Sequence, residues 1–69
     1  MHNAVKLRKL YGKTQEEISD LIDYPKPLYA AFEIGKYKIP KVKLSALAKV
    51  YNVSFGYIVN GDDDCYRDD

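Results

Sequence analysis

Apolar side chains recur every three or four positions along most of this chain, in short blocks separated by polar, glycine or proline punctuation. That period belongs to amphipathic helices. Ala4, Leu7, Leu10 and Tyr11 follow Asn3, a suitable N-cap, and predict helix 1 over about 4–11, ended by Gly12. Ile18, Leu21 and Ile22 form the inward face expected of helix 2, over about 15–22. Tyr29 and Phe32 do the same for helix 3, over about 26–34, with Gly35 as its stop. Val42, Leu44, Leu47, Ala48 and Tyr51 mark helix 4, ending near Asn52. Ser54 then caps a short helix 5 holding Phe55, Ile58 and Val59, closed by Asn60 and Gly61. No alternating run is long enough to predict a strand.

The punctuation between helices 2 and 3 is the most informative part. Thr14 and Glu17 form a capping box, in which the hydroxyl accepts from the Glu17 amide and the carboxylate reaches back to the Thr14 amide. Helix 2 therefore starts beside Thr14. Asp23, Tyr24 and Pro25 end its pattern, and a second helix restarts at about Lys26. A helix, a short turn and a second helix are the parts needed to lay one helix in a DNA groove.

With 69 residues and short connections, the chain is expected to be one compact all-α domain of five helices over 1–61. A domain this small buries only about 60% of the surface its unfolded form exposes. The formal charge of +1 conceals a division. Residues 1–61 carry ten lysines and arginines against five acids, whereas residues 62–69, DDDCYRDD, carry five aspartates and one arginine. A basic body suits a polyanionic partner. Residues 62–69 have few apolar groups and are expected to be an acidic disordered tail, available to meet the basic loop of its own or a neighbouring subunit.

No apolar run approaches the roughly 20 residues a bilayer span requires, and the N-terminus is charged where a signal peptide is apolar. Cys65 is a lone cysteine, which points away from a secreted, disulfide-framed scaffold. The expectation is a soluble cytoplasmic protein with no membrane partner. Enzyme chemistry finds no support, because His2 and Cys65 are single and terminal and the carboxylates fall on solvent faces. No metal-ligand cluster and no cofactor are implied.

Leu7 and Arg8, Gly12, TQEE at 14–17, Glu33, Gly35 and Lys36, then Leu44, Leu47, Ala48, Val53 and Ser54 resemble the Cro/CI-type helix-turn-helix family by type and spacing. This is the lambda-repressor-like, or XRE, family, and the resemblance covers about residues 4–61. It implies a five-helix fold with the DNA-binding unit at helices 2 and 3, often in small dimeric repressors of phages or mobile elements. It also implies an inward-facing ion pair between Arg8 and Glu33 that sets the angle of helix 3. Thr14 and Gln15 fall where the family places a helix N-terminus and side chain against phosphate. Lys36, Lys38, Lys41 and Lys43, around Tyr37 and Pro40, fall in the loop used for backbone contact.

Helix 3 departs from the family. Where polar readers are usual, this chain has Lys26, Pro27, Leu28, Ala30 and Ala31, and Pro25 replaces the usual hydroxyl cap. Lys26 suits the O6 and N7 of guanine, and Leu28 or an alanine suits a thymine methyl, but no Asn, Gln or Arg offers bidentate readout. One reading is therefore a sequence-specific regulator, a homodimeric repressor on double-stranded DNA with an inverted-repeat operator. The other has the apolar face of Pro27, Leu28 and Ala31 docking a protein partner. The expected dimer interface is Val53, Phe55, Tyr57 and Ile58, with Tyr57 exposed and with Phe55 and Ile58 also suited to closing the core.

Overall fold

The computed structural model describes residues 1–68. Five helices, α1 (Ala4–Leu10), α2 (Gln15–Leu21), α3 (Lys26–Glu33), α4 (Lys41–Val50) and α5 (Phe55–Val59), are joined by short turns. Their inner faces meet in one core centred on Ile18, Tyr29, Phe32, Leu44, Leu47, Tyr51 and Ile58, all less than 2% exposed. These are the apolar positions expected to face inward. Leu10, Leu21 and Val42 depart from that pattern and are 74%, 59% and 67% exposed. Each lies within the first or last turn of its helix, where period alone does not decide whether a neighbour is present to cover the side chain.

The turn signals act through backbone geometry. Gly12 and Gly35 take φ values of +66° and +80° after α1 and α3, and Asn52 takes +55° after α4. Asp23 also enters the left-handed region, at φ +53°, which sharpens the exit from α2. Ser54 caps α5 by accepting from the Tyr57 amide at 3.1 Å. Ser54→Ala is expected to cost about 1 kcal/mol of stability, measurable by urea denaturation, with no change in the denaturant dependence.

The start of the chain is anchored in an unexpected way. Asn3 stands at the N-cap position of α1, but its side chain donates to the Tyr57 carbonyl at 2.8 Å. His2 supplies the cap instead, its Nδ1 accepting from the Ala4 amide at 3.2 Å. The proton therefore resides on Nε2, which donates to the Phe32 carbonyl at 3.1 Å. The imidazole is 6% exposed and stacks on Phe32 with centroids 4.2 Å apart. His2 is thus a structural ring between α1 and α3, not a free terminal residue.

The largest departure is at the C-terminal end. Of the tail expected to be disordered over 62–69, residues 62–68 fold back, Asp69 lying outside the described residues, and Tyr66–Arg67 pair as β2 in parallel with β1 (Ile39–Pro40), in the register Ile39 to Tyr66 and Pro40 to Arg67. The Ile39 amide donates to the Cys65 carbonyl at 3.1 Å. Cys65 is 8% exposed, and the Tyr66 ring meets Phe55 edge-on at 5.2 Å. One buried anchor, Cys65, one half-buried anchor, Tyr66, and a two-residue bridge hold this segment despite its charge. Such a short bridge leaves no alternating run, so the expectation of no strand fails for the same reason.

Candidate nucleic-acid interface

α2 and α3 meet through the four-residue turn 22–25, and the entry of α2 is built as expected. The Glu17 amide donates to the Thr14 hydroxyl at 3.1 Å, and the Thr14 amide donates to the Glu17 carboxylate at 2.8 Å. The Thr14 amide, and after it the hydroxyl, hold the Glu17 carboxyl below its ordinary pKa. Thr14 and Gln15 line an open cleft with Arg8, Lys13, Glu16 and Lys26, so three of the expected DNA-contacting residues share one surface. Lys13 was missed in the sequence. A basic residue immediately before a capping box is the signal that marks it.

Arg8 and Glu33 form the expected pair, in bidentate geometry. Arg8 Nε and an Nη donate to the two Glu33 carboxylate oxygens at 2.7 and 3.1 Å, and the other Nη donates to the Lys13 carbonyl at 2.9 Å. The Arg8 side chain is 15% exposed and that of Glu33 is 3% exposed. Gln15 Nε2 completes the set, donating to Glu33 Oε1 at 2.9 Å. Its side chain thus serves the ion pair first, leaving the adjoining helix amides and Lys13 to face an anion. Burial acts to raise the Glu33 pKa, but the hydrogen bonds from Arg8 and Gln15 outweigh it and hold the carboxyl below its ordinary value. The Arg8 pKa is raised in turn, chiefly by its hydrogen bond to Glu33. Tyr29 and Tyr51 lie against the inner side, and burial followed by the proximity of Glu33 drives their hydroxyl pKa values up, that of Tyr51 to about 12.

The outer face of α3 is sparse. Pro25 occupies the N-cap without a side-chain bond, and Pro27 is accommodated in the first turn, where its missing amide would have no helical partner. Lys26 and Pro27 are exposed, and Leu28, Ala30 and Ala31 are half-buried. Lys26 Nζ lies 3.9 Å from Glu16 at a well-solvated position, a contact weak enough to yield to a better anion.

Beyond α3, Lys36 and Lys38 are exposed in the loop, and Lys41 opens α4. Lys43 does not belong with them. Its Nζ donates to the carbonyls of Ile22 and Asp23 at 3.1 and 3.0 Å, so it neutralises the negative end of α2. Two residues earlier in the same charge run, α4 begins at Lys41 behind Pro40, an N-cap residue with no side-chain bond, and has no acid in its first turn. Lysine at the positive end of a helix dipole is unfavourable unless an anion joins it. The loop and the start of α4 therefore form a surface short of negative charge from the chain's main body.

Of the expected dimer residues, Ile58 is fully buried and is removed from that role. Val53 and Phe55 are half-buried against the core, and Tyr57 is 45% exposed, as its position suggested. No group of three or more potential metal ligands occurs among the described residues, and no helix there is long and apolar enough to cross a membrane.

Comparison with known proteins agrees with this geometry. The helix-turn-helix family profile matches residues 6–58. An uncharacterized HTH-type transcriptional regulator, YobD of Bacillus subtilis (strain 168), is 38% identical over 58 residues, covering 84% of this chain and 52% of that protein. The chain thus spans about half the length of that curated relative. No solved structure matches the chain. The five-helix order, the capping box at the entry of α2, the Arg8–Glu33 pair and the match over most of the chain lead to one conclusion: the chain belongs to the Cro/CI-like, XRE-type helix-turn-helix family of DNA-binding transcription regulators.

Proposed function

We propose that this domain acts as a small dimeric repressor that places α3 in the major groove of a short inverted-repeat operator. The observation that carries the reading is the gathering of Lys13, Lys26 and the start of α2 around one cleft, together with the exposed Lys36, Lys38 and Lys41 in the loop that leads from α3 to the uncapped start of α4. Phosphate contacts of this kind set the register of a helix on the duplex. Base preference comes from Lys26 on guanine and from Pro27, Leu28 and Ala31 against thymine methyl groups. With so few readers, half-site spacing and DNA deformability supply the remaining discrimination. A second copy, joined through the exposed Tyr57 beside Val53 and Phe55, would set two α3 helices about 34 Å apart.

Selection of bound duplexes from a random library at near-physiological salt tests this reading. The expected result is an enriched palindrome with half-sites about one helical turn apart. Lys26→Ala is expected to relax preference at one guanine position by about tenfold while leaving stability unchanged. If no sequence is enriched and Leu28→Asp alone disturbs function, the operator reading fails and the apolar α3 face is left to a protein partner.

A further inference from the structure

The segment after α5 carries the charge opposite to that of the proposed phosphate-binding loop, and the fold seats it on that loop. Cys65 and Tyr66 anchor it to the core, and β2 pairs with β1 inside the loop itself. Arg67 donates to the Lys38 carbonyl and stacks over the Tyr37 ring, its guanidinium carbon 5.3 Å from the centroid. Two consequences follow for the acids. Asp68 comes within 3.9 Å of Lys41 Nζ at the start of α4, and Asp62 and Asp64 line the same cleft as Lys36 and Lys38. The carboxylates are therefore placed where the loop lysines and the uncapped helix would receive phosphates.

We propose that the C-terminal segment is a built-in competitor for the DNA backbone, its aspartates standing in for phosphates on Lys36, Lys38 and Lys41. The Asp68–Lys41 contact is solvated, and Asp62 and Asp64 face Lys36 and Lys38 across an open cleft rather than as ion pairs, so the counter-charge is weakly held and exchanges readily with a polyanion. The backbone pairing and the anchors Cys65 and Tyr66 stay in place, and only the carboxylates give way. A fixed counter-charge of this kind lowers affinity for any duplex, while an operator that also engages α3 still displaces it. Where both binding modes use the loop the ratio between operator and bulk DNA is unchanged, and the effect is to bring the weaker, nonspecific mode below the level at which the protein stays bound.

This inference rests on the loop's contacting phosphate, so its test separates the two claims. Asp62→Asn, Asp64→Asn and Asp68→Asn combined leave Cys65, Tyr66 and the backbone pairing untouched. Binding of a short duplex of unrelated sequence is measured by fluorescence anisotropy from about 50 to 200 mM salt. The neutralised protein is expected to bind about tenfold tighter at the low end, with a salt slope steeper by about 0.9 for each lysine released. Adding Asp68→Asn alone to a Lys41→Gln background is expected to give no gain, because the paired cation is already absent. Equal affinity and slope for the neutralised and unmodified proteins would overturn the competitor and leave the DNA reading intact. Failure of both proteins to bind any duplex would overturn the DNA reading, and the competitor with it.

Discussion

Glu33→Ala is expected to cost about 3 kcal/mol of folding stability and to lower the melting temperature by roughly 15 °C. The carboxylate is nearly inaccessible and accepts two hydrogen bonds from Arg8 and one from Gln15. Removing it leaves a guanidinium only 15% exposed without its counter-charge. Breaking one side of a buried pair typically costs about 3–5 kcal/mol, and the lower end applies here because Arg8 keeps the Lys13 carbonyl and some access to water. A domain of this length has a total stability of roughly 3–10 kcal/mol, so the change removes a third or more of it. Arg8→Lys should lose less, since it keeps the charge but not the planar fork. A loss below about 1 kcal/mol for Glu33→Ala in thermal denaturation would show the pair to be energetically a surface contact.

The same pair fixes a dependence on pH. The folded-state pKa of Glu33 is lowered, so its stabilisation is complete above the unfolded value near 4.5 and is lost as pH falls through the folded value. Glu33→Gln removes that contribution. The stability gap between the unmodified protein and Glu33→Gln should therefore be constant near neutrality and narrow as pH falls below about 4.5. A gap that widens on acidification would reverse the assignment of sign.

The core and the helix-turn-helix were legible because each rests on local patterns. Ile18, Tyr29, Phe32, Leu44 and Leu47 repeat at the helical period, and the Thr14–Glu17 box and the glycines mark the boundaries. What escaped depends on partners distant in the sequence. Leu21 has the spacing of a core residue but is exposed at the last turn of α2, where no element covers it. Lys43 reads as one more cation in a run until the carbonyls of Ile22 and Asp23 are found beside it. Gln15 sits where a phosphate-binding side chain is expected, yet its amide is held by Glu33, eighteen residues away. The acidic segment was misjudged by average composition, because two residues, Cys65 and Tyr66, suffice to anchor it when Ile39 offers a backbone edge. Composition gives the mean tendency of a segment, whereas docking depends on its few best contacts.

Substituting Lys36, Lys38 and Lys41 together by glutamine is expected to make the largest change in DNA binding. All three are exposed, and none anchors the core. Folding should survive, with the melting temperature within a few degrees of the parent. If each lysine neutralises one phosphate, the slope of log affinity against log salt should become shallower by up to about 2.7. Affinity near 0.1 M salt should then fall by roughly two orders of magnitude or more. The Lys41 contribution is partly masked in the unmodified chain by Asp68, so the full loss should appear only where Asp62, Asp64 and Asp68 have first been neutralised. Base preference should persist through this loss, because Lys26, Leu28 and Ala31 are unaltered and phosphate contacts carry no sequence information. Lys43→Gln supplies the internal contrast: its cation is committed to the end of α2, so stability should fall while the salt slope stays unchanged. Similar slopes for the triple variant and its parent would locate the polyanion-binding surface away from this loop and return attention to the cleft of Lys13, Thr14 and Lys26.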